Sequence, residues 1–440
     1  MVLGNIAILT LPLHVLFFIA LYALLPLLIS ISAFLHITTV LGVITSIAGS
    51  GQAANTGDGG LATSASVCFP NGLAVVASSG NTYISTQCHS IRMITKSTGI
   101  ITTVAGTGNS GYSGDAGLAT TATLNLPASL AIDSLTGNIY VADSGNNAIR
   151  KITKSTGIIT TVAGTGVEGK SGIGGLATMA RLLRPLGVSI DNKLRLIYIA
   201  DSSNDRILMV PMNTARANIS QIAGTGLRSF SGDGGKAKVA GLANPTSVAV
   251  DPTSSNVYFT DSFNNRVRMI SKSTGIISTV AGTGAAGYSG DMGLAINATL
   301  NNPSSLTVDQ STGNIYITLA SRVRMININS GRIKNIAGTM VPGYSGDGGQ
   351  ATEAQVSYAK AVAVDSSSGA VLIADTSNSR IRSITGTPYT SYSPTSSSVP
   401  SPSPSASSPS VQSPTSINNP TSGRCVPCLF DSANAKKKFA

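Results

Sequence analysis

Aspartate recurs along this chain at fixed spacing, in three settings where a carboxylate could do chemistry. One set stands in Gly-Asp-Gly-Gly-like turns: Asp58, Asp115, Asp233, Asp291 and Asp347. A second set ends runs of the type Ile-Tyr-Val-Ala-Asp: Asp143, Asp201, Asp261 and Asp375, with arginines close behind at Arg206, Arg266 and Arg380. A third ends shorter runs such as Leu-Ala-Ile-Asp: Asp133, Asp191, Asp251, Asp309 and Asp365. Carboxylate oxygens are hard ligands suited to Ca²⁺ and similar ions. Each set also has a structural reading. The turn aspartates can bond their own backbone amides. The second set can pair with the arginines across a hairpin, and the third can initiate turns. Near-uniform recurrence favours these structural roles, because function is expected where one copy departs from the others.

Histidine narrows the enzymatic options. The chain has three, and His14 and His36 lie in or beside a hydrophobic stretch. His89 alone lies in the repeat region, so a zinc centre built on several imidazoles cannot be assembled there. A Ser-His-Asp triad would depend on His89 with no Gly-x-Ser-x-Gly elbow to support it. A lactonase-like site using one divalent ion with carboxylates or Asn stays open as the alternative. No catalytic set is assigned and no cofactor is expected.

The elements that position these residues emerge from self-similarity. Ile-Ala-Gly or Val-Ala-Gly recurs with its glycine at Gly49, Gly106, Gly164, Gly224, Gly282 and Gly338. From the last glycine of each acidic turn to a proline is ten residues in five copies: Gly60 to Pro70, Gly117 to Pro127, Gly175 to Pro185, Gly235 to Pro245 and Gly293 to Pro303. In the sixth the same offset from Gly349 reaches Ala359, and the third copy has Gly172-Ile173 in place of Gly-Asp. Each unit then predicts four short strands, A to D, in a repeating hairpin pattern. Charged residues are only 11% and tryptophan is absent, so any core is built from small aliphatic and β-branched side chains. One four-stranded antiparallel sheet per unit must bury both faces, and radial packing does so. The expected fold is all-β, a six-bladed β-propeller. The sixth copy lacks its own strand D, and an orphan D-like strand at 43–49 is expected to complete it and close the ring.

Units of the form SGDGGLATxAxLxxPxxLAxDxxTGNIYVADSxNNxIRKI resemble NHL repeats, in the extended form of bacterial, protist and teneurin-type domains. The resemblance spans residues 43–386 and implies a six-bladed propeller. It implies no single activity, because relatives include protein-binding platforms, RNA-binding propellers and lyases.

Within this frame the departures between copies become the candidates. The residue before the landmark proline reads Phe69, Leu126, Arg184, Asn244, Asn302 and Tyr358; the residue after it reads Asn71, Ala128, Leu186, Thr246, Ser304 and Lys360. A fixed backbone carrying variable side chains is what a recognition surface on a rigid scaffold looks like. Arg181, Arg184 and Lys360 would form its basic part. Cys68, in the loop entering strand A, and Cys88, in the loop leaving strand B, lie at the same end of blade one and are expected to form a disulfide, which fits an oxidising compartment. Asn218-Ile-Ser and Asn297-Ala-Thr are glycosylation acceptors if the domain is lumenal.

The two ends differ from the repeats. Residues 1–36 carry no Lys, Arg, Asp or Glu and are long enough to span a bilayer as a signal-anchor or transmembrane helix, or to act as a signal peptide. Residues 387–424 are Ser, Pro and Thr with little else, a composition expected to be disordered. Residues 425–440 hold a lone C-x-x-C and a lysine cluster that resembles a dilysine signal. Residues 43–386 hold 25 basic and 17 acidic side chains, a net of +8. A basic surface can attract nucleic acid, but RNA binding conflicts with the hydrophobic N-terminus. The reading is a membrane-anchored or secreted propeller, extracellular or lumenal, that binds a protein or glycan on its loop face.

Overall fold

The computed structural model describes residues 42–212 and 216–386. The hydrophobic stretch 1–36, the Ser/Pro/Thr-rich 387–424 and the tail 425–440 lie outside the described residues. Among the described residues no helix is long and apolar enough to cross a membrane. Among the described residues, twenty-four strands of four to seven residues form six four-stranded antiparallel sheets, one per repeat. Strand A lies innermost and is Pro70–Val75, Pro127–Ile132, Pro185–Asp191, Pro245–Val250, Ser305–Val308 and Ala359–Asp365 in blades one to six. Five sheets run A to D in chain order. The sixth is completed by Val43–Ala48, which pairs antiparallel with Arg380–Thr385, as the orphan strand requires.

The core sits between blades. One cluster joins Tyr140 and Ile149 of blade two to Val188, Ile199 and Leu208 of blade three. The closing strand enters in the same way: Ile44 is fully buried with Val371, Ile373 and Ile384. Neighbouring blades are also strapped by hydroxyls of the B–C turns. Ser144 Oγ, Ser262 Oγ and Thr376 Oγ1 each donate to the carbonyl of the next blade's landmark proline, at 2.5 to 2.6 Å.

The largest fully buried side chains are charged. Arg92, Arg150, Arg268, Arg324 and Arg382, each third in strand C of its blade, are completely out of water. Each donates to the acidic-turn aspartate of its own blade: Asp58 at 2.6 Å, Asp115 at 2.8 Å, Asp233 at 2.7 Å, Asp291 at 2.7 Å and Asp347 at 2.6 Å. In blades two, four and six the same guanidinium reaches the strand-B aspartate, Asp143, Asp261 or Asp375, at 3.1 to 3.3 Å. Backbone carbonyls of the loop entering the blade take further N–H groups, as Ser113 O does from Arg150 and Ser231 O from Arg268.

This corrects two sequence expectations. The turn aspartates neither cap their own turns nor gather around an ion; they pair with the buried arginine, and Asp58 and Asp115 also accept a backbone N–H from strand D. Of the arginines expected to pair with the second set, only Arg206 does, with Asp201 at 2.8 Å. Arg266 and Arg380 instead lie over Phe230 and Tyr344, at 3.6 and 3.8 Å from the ring centroids. Strand pairing aligns Asp261 with Arg266 and Asp375 with Arg380, but the side chain that turns inward is two residues further on.

Blade three confirms the logic by omission. It carries Ile173 where the others have the turn aspartate and Leu208 where they have the buried arginine, and both join one apolar cluster. Acid and base are therefore lost together. Arg268→Leu alone should cost about 3–5 kcal/mol, because it strands the buried carboxylate of Asp261. Adding Asp233→Ile, which copies blade three, should recover part of that loss in urea unfolding. Equal losses in single and double variants would show that the pair is not coupled.

Candidate functional site

The variable column is held in an unusual backbone state. All six residues before the landmark position have positive φ, from 40° to 50°: Phe69, Leu126, Arg184, Asn244, Asn302 and Tyr358. None is glycine, and a non-glycine residue in this left-handed region costs roughly 1–2 kcal/mol. The neighbouring blade holds four of them there. Leu126 N donates to His89 Nδ1 at 3.1 Å, Arg184 N to Asn147 Oδ1 at 2.9 Å, Asn244 N to Asp205 Oδ1 at 2.7 Å and Asn302 N to Asn265 Oδ1 at 2.9 Å. One residue earlier, the backbone N–H donates to the buried strand-B aspartate, as Asn125 N does to Asp143 at 2.7 Å and Leu183 N to Asp201 at 2.8 Å. The loop is pinned through its main chain, which leaves the side chains uncommitted.

Those side chains face solvent. Phe69, Leu126 and Tyr358 are exposed apolar groups, Tyr358 at 61%. Arg181, Arg184 and Asn302 are exposed and Asn244 is half-buried. The residues after the landmark line a central channel of about 310 Å³. Three of them also strap neighbouring blades: Asn71 Nδ2 donates to Pro127 O, Thr246 Oγ1 to Ser304 O and Ser304 Oγ to Ala359 O. Lys360 points at the channel, and burial, followed by the charge of Arg184, lowers its pKa below the ordinary lysine value. Arg184 is exposed two residues before the channel-lining Leu186, and Arg181 sits on the same loop packed along Gly169.

Cys68 and Cys88 form the expected disulfide, with Cα atoms 5.8 Å apart. It ties the residue before Phe69 to the residue before His89. Asn218 and Asn297, the glycosylation acceptors, are both exposed.

The third set of aspartates is absorbed by the A–B turns at the other end of the channel. Asp251 accepts Thr253 N and Ser254 Oγ, and Asp309 accepts Ser311 N and Thr312 Oγ1. Among the described residues no three of His, Cys, Asp and Glu converge as a metal site would require. Asp133 and Asp365 also accept Arg195 and Lys96 from neighbouring blades. Burial raises both carboxyls, but these bonds outweigh it and bring each down to about 2.

Sequence reasoning missed the buried arginines, though the joint loss of Asp and Arg in copy three was readable. It missed the left-handed column because Phe, Leu, Arg and Tyr give no sign of positive φ. It also missed His89 as a cross-blade acceptor, since Asn147, Asp205 and Asn265 fill that place elsewhere.

No family model matches the chain. Among curated proteins it is 27% identical over 277 residues to Protein SUPPRESSOR OF QUENCHING 1, chloroplastic, of Arabidopsis thaliana, covering 61% of this chain and 26% of that protein. It is 27% identical over 347 residues to NHL repeat-containing protein 2 of Gallus gallus, covering 71% and 46%. Against Teneurin-1 of Mus musculus it is 29% identical over 237 residues, covering 49% and 8%. The chain spans less than half the length of each. Two solved structures share the fold: a Bacteroides thetaiotaomicron protein of unknown function (TM-score 0.58, 20% identity, 78% and 76% covered) and an auxiliary nutrient binding protein of the same organism (0.55, 15%, 78% and 76%).

The salt links of Asp133 and Asp365 set an acid limit. Their folded pKa lies below the usual 3.8, so their stabilisation is present above that value and is lost as pH falls toward about 2. Thermal melts should show a drop in stability across this window that is smaller in Asp133→Asn. A wild-type and a variant curve falling in parallel would contradict it.

Proposed function

Because the chain is an NHL-repeat β-propeller, we propose that it works as a binding platform whose loop face, built from the D–A and B–C connections, takes a protein ligand. The observation that carries this reading is the six-membered column before the landmark position. Its backbone is the same in every blade and its side chains differ in every blade but two. Exposed Phe, Leu, Tyr and Arg around one rim are the residue types that anchor protein interfaces. A glycan is the competing ligand class, and it would stack on Phe69 and Tyr358 with hydrogen bonds from Asn244 and Asn302.

The direction of the chain supports the same face. Val43 pairs with Thr385, at the end opposite to Ala359 and to the B–C turns. The chain therefore enters and leaves the ring on the far side from the candidate surface. If residues 1–36 anchor the protein, the ring presents its variable column away from the bilayer. The Cys68–Cys88 disulfide supports an extracellular or lumenal ring, where such bonds persist. Exposed Asn218 and Asn297 would then carry glycans, and loss of mass on endoglycosidase treatment, absent in Asn218→Gln/Asn297→Gln, checks the compartment.

The binding assignment is tested by alanine variants in cross-linking capture on intact cells. Tyr358→Ala and Arg184→Ala should each weaken capture by about 1–2 kcal/mol, the range of interface anchors. Leu135→Ala, exposed in an A–B turn on the opposite face, should leave it unchanged. If Tyr358 and Arg184 can be removed with capture intact, the surface is wrongly assigned. Inhibition of capture by glycan-array hits, but not by protein ligands, would move the reading to glycans.

A further inference from the structure

Copy six departs from the other five at three adjacent positions. It has Tyr358 before the landmark, Ala359 in place of proline, and Lys360 after it. Part of this has a folding cause. Blade five has a shortened B–C turn, Ala320-Ser321, and Leu319 stands where four of the other blades place a buried aspartate. Ala359 N donates to Ala320 O at 2.9 Å, a bond that proline could not make. The loss of proline is thereby explained. The lysine that follows is not, because this backbone bond asks nothing of the next side chain.

Lys360 is the one charged residue among the described residues lining the channel. Arg184 bears on it electrostatically. Arg184 is exposed two residues before Leu186, which lines the same channel from blade three, so an arginine at the rim and a lysine in the lining stand at one mouth. Neither side chain makes an ion pair or a hydrogen bond to another described residue. Two other cations on this face are balanced, Arg206 by Asp201 and Arg228 by Asp205 at 3.4 Å. The twelve positions flanking the six landmarks contain no Asp or Glu. Two cations brought together with no counter-charge repel, and a bound anion would remove that repulsion.

We infer that the channel mouth between Arg184 and Lys360 binds a carboxylate of an acidic segment on the protein partner. This rests on the loop-face reading and gives it a chemical specificity. A peptide carboxylate fits better than a free inorganic anion because the mouth is rimmed by exposed Phe69, Leu126 and Tyr358, which cover the apolar parts of a chain and offer nothing to a small ion. Arg184 supplies a planar fork for the carboxylate and Lys360 a point charge from below.

The test is fluorescence anisotropy of the full chain with a fluorescein-labelled hexaglutamate peptide, with hexaglutamine as the uncharged control. Wild type should bind the acidic peptide and not the control. Lys360→Met and Arg184→Gln should each weaken binding about tenfold or more, the loss expected for a charge-assisted contact. Lys360→Arg should retain it, and unchanged thermal melts in all three variants show that the ring is intact. Equal affinity of wild type and Lys360→Met would overturn the site. Displacement of the peptide by inorganic phosphate at matched charge would also overturn it, since the mouth would then be a free-anion site. Loss of this site with Tyr358-dependent capture preserved would leave the platform reading standing; loss of both would remove the platform as well.

Discussion

Five guanidiniums sit entirely out of water in this ring, and the rest of the architecture is arranged around satisfying them. A buried arginine is tolerable only when its charge is balanced and most of its N–H groups are bonded, and here Nε of Arg92, Arg268 and Arg382 lacks a partner among the described residues. Here the balance comes from two places at once: a turn in the loop entering the blade and, in three blades, the end of strand B. Each arginine therefore fastens a long connection to the sheet it leads into. A chain with few charges spends many of them on this task. The carbonyls it also captures, such as Ser113 O and Ser231 O, fix the path of a segment that has almost no regular structure of its own.

That fastening makes a variable surface affordable in structural terms. The main chain before strand A is set by the buried aspartate on one side and by the adjacent blade's turn residue on the other. No contact in this set uses the side chains of Phe69, Leu126, Arg184 or Tyr358. They can change without disturbing the ring, and the left-handed backbone turns them outward around the channel. The disulfide adds a covalent version of the same support in blade one, where Thr86 replaces the strand-B aspartate.

Much of this was legible in the sequence. Six copies in register fixed the blade count, the strand order and the closing strand, because hydrophobic alternation and turn chemistry are local signals. The Cys68–Cys88 pair followed from the loops of one hairpin. What could not be read depended on which side of a strand a residue faces and how loops lie over it. Arg266 and Arg268 differ by two positions and both lie over Phe230, yet one is half-buried without a carboxylate partner among the described residues and the other is sealed inside against Asp233 and Asp261. The spacing alone favoured the nearer arginine. The grouping of Arg184 with Lys360 was legible from their shared place beside the landmark although 176 positions separate them, but the position of Lys360 in the channel lining was not.

The closing strand has a consequence for how the molecule is made. Of the ring's strands, Val43–Ala48 leaves the ribosome first and pairs with Arg380–Thr385, which leaves it last. During synthesis its unpaired edge and the apolar side of Ile44 wait while more than five blades are translated, at about 5–20 residues per second. Blades one to five can stack as they emerge, since each buries its core against the next, but the ring stays an open arc until the final hairpin arrives. The last-formed contact is also the one of greatest sequence separation, so its loop-closure entropy is met late, by a partner already held in place. Quality control of such a chain has a single event to read: whether the first strand has found the last blade.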